Sequence, residues 1–296
     1  MPEKLHRKYR CILTSRRAAW IGFLLPSLVG VSVFVLLPFA DVGRRSFTTA
    51  VTGKFCGLVN YQTVFANEAF LLAVKNTLRF VCVGVPLLLV LSLLLSAAIH
   101  GLAWEHGLKS AFLFPIAVPT ATVVLVWRML FHQQGLCNAF LSRFGLHPVD
   151  WLGSGASFWV LVFSYLWKNL GYTIVLWLAG LSQIPEEYQE AARVDGASRA
   201  KCFWYVVLPG LKPVLYTVTV LSFLNSFRVF REVYLVAGAY PQEKIYLLQH
   251  LFQNWFTSLE VDKMAAAAVC VTIVFALVQL ALQWIWEGKE ERSGGI

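Results

Sequence analysis

Residues 81–99 read "VCVGVPLLLVLSLLLSAAI" and carry no charged side chain. A helix that crosses a bilayer needs roughly 20 mostly apolar residues, so this run is long enough to span one. Pro86 lies inside the run, where a membrane helix tolerates proline as a kink. The stretch therefore predicts a membrane-spanning helix.

The composition extends this prediction to the whole chain. Of 296 residues, 58% are hydrophobic and only 14% are charged, and the mean hydropathy is +0.63, whereas soluble domains have about 25% charged residues. The net charge of +9 does not indicate nucleic acid, because the basic residues flank apolar segments as the positive-inside rule describes. The six cysteines form no C-x-x-C pair, so neither a disulfide framework nor a zinc site is expected. We expect an all-α integral membrane protein in contact with lipid.

The hydropathy pattern predicts six transmembrane helices. The first is read as an uncleaved span because its apolar run is too long for a signal peptide. The six predicted spans cover residues 18–40, 76–99, 109–131, 156–181, 212–234 and 264–286. Their interiors hold no Asp or Glu, since Glu232 and Asp41 are expected at or beyond the span ends.

The distribution of Lys and Arg predicts the orientation. With the N-terminus inside, thirteen basic residues lie on the cytoplasmic side and nine on the outer side. The six in the N-terminal segment usually dominate. We expect a cytoplasmic basic N-terminus (1–17), a six-span transmembrane domain (18–286) and a cytoplasmic tail (287–296), with residues 182–211 also facing the cytoplasm.

The cytoplasmic segment contains "EAARVDGASRA" (190–200). Pro185 fits the first position of a helix, and Gly196 fits the left-handed position that ends one. Ser198 can cap a second helix that runs until Pro209. The small side chains allow another backbone to come close, so this surface either docks into a partner or packs against its own bundle.

Residues 190–215 resemble the EAA signature of permease subunits of binding-protein-dependent ABC importers. The pattern E-A-A-x-x-D-G-A, followed by L-P-x-x-x-P at 208–213, is similar to that of the sugar-importing, maltose-type branch. The segments "FLLPSLVGVSVFVLLPF" (23–39) and "LAGLSQIPEEYQEAA" (178–192) also resemble that branch.

The resemblance implies a type I ABC importer permease fold and a division of labour between chains. The expected partners are a second permease subunit, two ATP-binding ATPase subunits and an extracytoplasmic solute-binding protein in a bacterial cytoplasmic membrane. The chain itself is expected to be no enzyme and to need no cofactor. The expected contact with the ATPase consists of Glu190, Ala191, Ala192, Asp195, Gly196 and Ala197.

The residues leave one other class open. The chain lacks a Walker A motif, since neither Gly-Lys pair is followed by Ser or Thr, so an ATPase must be another polypeptide. The alternative is a stand-alone secondary transporter or channel for a small polar solute, which often uses intramembrane carboxylates. The six histidines show no spacing typical of metal ligands.

Polar residues inside spans are costly and usually face a cavity or a partner. Lys168 either lines the pathway or pairs with the other subunit, and snorkelling to the interface is an alternative for Arg231. In the sugar branch, the stretch before a glycine-rich outer loop lines the sugar pocket, although this chain has "VAGAYP" (236–241) in place of the usual glycines. The resemblance makes Asn225, Phe227, Arg228 and Arg231 the candidate substrate path. Arg228 offers fixed donors suited to sugar hydroxyls or, better, to a carboxylate or phosphate on a sugar.

Overall fold

The computed structural model describes the backbone of residues 23–293 and the side chains of residues 23–286. The predicted N-terminal segment 1–17, the start of the first span and the side chains of the tail 287–296 lie outside these described residues. Within the described range the chain is helical, apart from loops and an isolated bridge between Thr48 and Phe55. The expected all-α fold is confirmed.

The described residues fold into thirteen principal helices. In chain order they are α1 (Phe23–Ser46), α2 (Val59–Phe65), α3 (Glu68–Ile99), α4 (Glu105–Ala117), α5 (Thr120–Phe131), α6 (Leu136–Arg143), α7 (Ser157–Leu181), α8 (Glu186–Val194), α9 (Arg199–Cys202), α10 (Lys212–Ser226), α11 (Phe230–Ala237), α12 (Leu248–Thr257) and α13 (Val261–Ser293). A 3-10 turn at Phe227–Val229 joins α10 to α11.

Four helical stretches in the described range are long and apolar enough to cross a membrane. They are Phe23–Ser46, Glu68–Ile99, Lys212–Ala237 and Val261–Trp286. Helix α7 has 25 residues but falls outside this group, because Lys168 and Asn169 in its middle lower its mean hydropathy. The structure thus supports a multi-pass membrane protein, whereas six spans remain a prediction.

The predicted third span, 109–131, is not one straight helix. It corresponds to α4 and the stretch Thr120–Arg143, which are bent by 92° relative to each other. The break falls at Val118, whose backbone is extended, and at Pro119. Proline disfavours helical geometry in the residue before it and donates no backbone hydrogen bond. Counted as one broken span, the pair brings the number of candidates to five.

The chain divides into two compact units. Among the described residues, the first consists of residues 23–66 and 259–274, and the second of residues 67–258 and 275–293. In the first unit, the amide of Asn60 is buried and donates to the carbonyl oxygens of Ser46 and Thr48, both at 3.0 Å. The backbone of Ala50 donates to the carboxylate of Asp262 at 3.2 Å. These bonds fix the loop that follows α1.

The core of the second unit lies between α3 and α7. Phe80 of α3 and Tyr165 of α7 are almost fully buried and pack edge to face, with ring centroids 5.3 Å apart. About three turns further along the same pair of helices, the indole of Trp177 donates to the hydroxyl of Ser92 at 3.0 Å. A buried Trp usually finds such a partner because an unpaired N–H is costly. The α3–α7 pair is therefore the scaffold on which the polar residues of α7 are held.

Helix α4 approaches α7 at Gly171. A Cβ atom at this position would overlap the carbonyl group of Phe112 in α4. Only glycine allows two helix backbones to come this close, as small residues do at membrane helix interfaces. Gly171 therefore sets the distance between α4 and α7.

His250 of α12 has a structural role. It is fully buried, and its Nδ1 accepts from the backbone N–H of Leu247 at 3.2 Å. Its ring packs edge to face on Phe230, with centroids 4.8 Å apart. Burial disfavours the charged imidazolium and lowers the pKa of His250 to about 4.

Candidate coupling surface and transport cavity

The segment after α7 forms two short helices, as the sequence predicts. Helix α8 follows Pro185, which is the residue before the helix rather than its first residue. Glu186 and Glu187 occupy the first turn, where the positive end of the helix dipole favours carboxylates. Arg193 lies in the last turn, where a cation is favoured for the same reason.

Gly196 ends α8 in the left-handed conformation, with φ +80°. Its N–H donates to the carbonyl of Arg193 at 3.0 Å, and the N–H of Ala197 donates to the carbonyl of Ala192 at 2.9 Å. This pair of bonds is the Schellman motif, which satisfies the last carbonyls of a helix. Glycine adopts positive φ without steric cost, so the predicted Asp-Gly turn is confirmed.

The second helix starts at the predicted cap. The hydroxyl of Ser198 accepts from the N–H of Lys201 at 3.4 Å. The helical stretch continues through a π-helical turn, Phe203–Val207. It then runs through Leu208–Gly210 and so ends one residue beyond the predicted end at Pro209. A helix tolerates proline in its first turn, because the N–H groups there make no intrahelical hydrogen bond. Cys202 and Val207 are buried and hold this stretch on the second unit.

We call residues 190–197 the coupling knob. None of the side chains of α8 is buried. Glu190, Ala191 and Asp195 are exposed, and Ala192 and Ala197 are only partly covered. Beside them, Tyr188 is 63% and Val194 is 88% exposed. The knob thus projects from the described residues and is available for docking, which disfavours the alternative that it packs on its own bundle.

A cavity of about 290 Å³ lies within the second unit between α7 and the α10–α11 stretch. Its walls are mostly polar or charged. The side chains that matter for its chemistry are Lys168 and Tyr172 on α7, and Asn225, Arg228, Arg231 and Glu232 on the facing stretch. Such a cavity, at the small end of ligand pockets of about 300–1,000 Å³, can hold a small polar solute.

The structure corrects the expectation for Glu232. This residue lies inside the candidate span Lys212–Ala237, not at its end, and is 3% exposed. Its carboxylate forms an ion pair with the ammonium of Lys168, which also reaches the hydroxyl of Thr120 at 3.3 Å. Within this chain, Lys168 thus has an acidic partner of its own. A buried carboxylate needs a cationic partner because an isolated charge is costly to bury.

Arg228 and Arg231 line the cavity and are exposed in the isolated chain. Within the described part of the chain, no hydrogen bond or ion pair engages either guanidinium group. Asn225 also lines the cavity, and its amide donates to the hydroxyl of Tyr172 at 2.9 Å. Three of the four candidate path residues are thus brought together.

Phe227 is the exception. Its ring packs on Phe223 and Phe275, with centroids 5.5 and 4.4 Å away, and it is absent from the cavity wall. Glu232 and Lys168, which the candidate path did not include, do line it. The signal that could have found them is their opposite charge within two apolar helices.

The structure offers no group of three or more potential metal ligands among the described residues. The described residues combine helices, several apolar spans, a polar cavity and an exposed knob, which is the combination expected of a membrane transport protein. Residues 76–287 match the family described as "Binding-protein-dependent transport system inner membrane component". The chain belongs to this family. It is therefore a multi-pass inner membrane permease subunit, and ATP hydrolysis is the task of a separate ATPase chain.

Several characterised proteins are similar to this chain over most of its length. The arabinooligosaccharides transport system permease protein AraP of Bacillus subtilis is 31% identical over 92% of this chain and 90% of its own length. The trehalose/maltose transport system permease protein MalF of Thermococcus litoralis is 35% identical over 77% of this chain and 82% of its own length. A chain in the crystal structure of a bacterial ABC transporter that imports the acidic polysaccharide alginate is 22% identical, with a TM-score of 0.79 over 95% of this chain and 98% of that one. This likeness shows that the fold is that of a type I ABC importer permease.

Proposed function

We propose that this chain forms half of the translocation pathway of an ABC importer for a carbohydrate. The observation that carries the proposal is the coupling knob, an exposed helix end and turn whose small residues leave room for a partner backbone. The carbohydrate class is supported by the names of the relatives, which transport arabinooligosaccharides and trehalose or maltose.

The assembly that we propose has four kinds of chain. This permease pairs with a second permease subunit, two ATPase subunits bind on the cytoplasmic side, and a solute-binding protein delivers the sugar from outside. In support of the last partner, one structurally similar transporter was crystallised with a periplasmic protein that carries an alginate pentasaccharide. Both termini and the coupling knob are proposed to face the cytoplasm, in line with the distribution of basic residues.

Glu190, Ala191, Ala192, Asp195, Gly196 and Ala197 are proposed to be the contact with the ATPase. The charged members lie at the edge of the small ones, which suits a knob that enters a cleft. Asn225, Arg228 and Arg231 are proposed to line the sugar path because they meet in one cavity. Phe227 is proposed to stabilise this path from outside the cavity wall through its packing on Phe275.

Glu232 gives the alternative of a stand-alone carrier a specific basis, since coupling ions and protons often use buried carboxylates. Its ion pair with Lys168 gives the carboxylate a structural role instead. The two functions differ in their source of energy, and this difference can be measured.

Reconstitution in liposomes tests the proposed function. The purified chain alone is expected to hydrolyse no ATP and to take up no sugar, with or without a proton or sodium gradient. The complete importer is expected to take up sugar only when ATP is enclosed with the ATPase subunits and the binding protein is outside. Gradient-driven uptake by the chain alone would instead establish a secondary transporter.

A further inference from the structure

The cavity between α7 and the α10–α11 stretch has an excess of positive charge. Lys168, Arg228 and Arg231 are cationic, and Glu232 is the one acidic residue that lines it in the described structure. Arginine stays protonated at any physiological pH. The wall of the cavity therefore carries a net charge of about +2 once the Lys168–Glu232 pair is taken as neutral.

Among the described residues, the carboxylate of Glu232 pairs with Lys168 and with neither arginine. Its Oε1 contacts Lys168, and its Oε2 is buried without any described hydrogen-bond partner. Its side chain is 4% exposed, whereas that of Lys168 is 27% exposed. The ion pair with Lys168 leaves both guanidinium groups without a partner among the described residues, so they remain to be matched by a group that enters the cavity.

We propose that the solute bound in this cavity is a carbohydrate that carries an oxyanion, such as a carboxylate or a phosphate. This inference rests on the proposed function, in which the cavity is part of the sugar path. Guanidinium groups bind such oxyanions through paired, charge-assisted hydrogen bonds that neutral hydroxyl groups do not match. Arg228 and Arg231 stand three positions apart around the junction of α10 and α11, so both can reach one ligand.

The position of Glu232 suits this assignment. An unpaired carboxylate in the wall would repel an anionic ligand, because charges interact strongly where water is scarce. Lys168 cancels that repulsion from inside the wall. The cavity wall is therefore positively charged at the two arginines and electrically neutral at the Lys168–Glu232 pair.

Calorimetric titration of the purified importer, with both permeases and both ATPases, tests the inference. The probes are two matched pairs, galacturonate with galactose and glucose 6-phosphate with glucose. We expect at least one anionic sugar to bind about tenfold more tightly than its neutral partner. The two pairs distinguish carboxylate from phosphate. The absence of any such preference, including no binding by all four sugars, would overturn the inference.

Variants of the importer test which residues are responsible. Arg228→Gln is expected to weaken binding of the preferred anion about tenfold more than it weakens binding of the neutral sugar. Arg228→Lys is expected to recover part of the loss, because it keeps the charge but not the paired donors. Arg143→Gln removes an arginine that is exposed at the end of α6, outside the cavity wall, and is the matched control. Equal effects of Arg228→Gln and Arg143→Gln would contradict the inference.

Glu232→Gln is expected to change anion binding in the opposite direction from Arg228→Gln. It removes the acidic partner of Lys168 and makes the cavity more positive, so we expect the preference for the anion over the neutral sugar to increase. If Arg228 instead pairs with an acidic residue of the second permease, Arg228→Gln will reduce the yield of assembled importer, and the inference is wrong.

ATP hydrolysis stimulated by the binding protein, measured on the same preparation, tests the proposed function separately from the charge preference.

Discussion

Replacing Gly196 by Asp is expected to abolish ATP-driven uptake while leaving the chain inserted and paired with the second permease. Gly196 has φ +80°, where any side chain costs about 1 kcal/mol or more of backbone strain. The new carboxylate also stands next to Asp195, so strain and repulsion both distort the end of α8. The membrane helices do not depend on this turn.

Gly145→Asp is the matched control for this prediction. Gly145 also has a positive φ, +71°, and a Cβ there meets nothing within 4 Å, as at Gly196. The two substitutions therefore introduce the same strain and charge, but only one lies in the coupling knob. We expect Gly145→Asp to keep uptake and retention of the ATPase near wild-type levels in a pull-down. Undiminished ATPase retention in Gly196→Asp would contradict the coupling role.

The second large effect is expected at Gly171. Gly171→Ala places a Cβ atom against the carbonyl group of Phe112. Because this neighbour is backbone, it can move only if α4 moves away from α7. We expect a loss of about 3 kcal/mol or more of stability, at the upper end of the usual cost of overpacking. The measurement is the Tm of the purified importer in detergent, together with its yield.

Gly107→Ala provides the comparison for this loss. Gly107 lies within α4 and has open space at its Cβ position. The same substitution there is expected to be neutral or to stabilise the helix by up to about 1 kcal/mol. Equal Tm values for the two variants would show that the α4–α7 approach is not as close as described.

The coupling knob could be predicted from sequence because its signals are local. Ser198 and Gly196 act on neighbours within a few positions, so cap and turn chemistry fixes the two helices. The same holds for the long apolar runs, which predict helices without reference to the rest of the chain. Pro119 is also a local signal. The prediction of a continuous span over 109–131 rests on hydropathy, however, and hydropathy does not register a bend.

The wall of the cavity could not be predicted completely because it depends on contacts between distant residues. Lys168 and Glu232 are 64 positions apart, and nothing in their local sequences pairs them. The prediction of Glu232 at a span end rests on an apolar run that finishes near residue 234. In the structure the helical span continues to Ala237. Gly171 carries no local signal either, since its role appears only when α4 lies against α7.

Site-specific labelling tests the central claim, that the coupling knob faces the cytoplasm and docks into an ATPase. In a chain whose six native cysteines are replaced by alanine, single cysteines are introduced by Ala191→Cys in the knob and His147→Cys in the exposed segment between α6 and α7. A membrane-impermeant maleimide is applied to sealed inside-out and right-side-out vesicles, with and without the ATPase. We expect position 191 to react only from the cytoplasmic side and to be protected by the ATPase, and position 147 to react only from outside. Reaction of position 191 from outside, or equal labelling with and without the ATPase, would contradict the account.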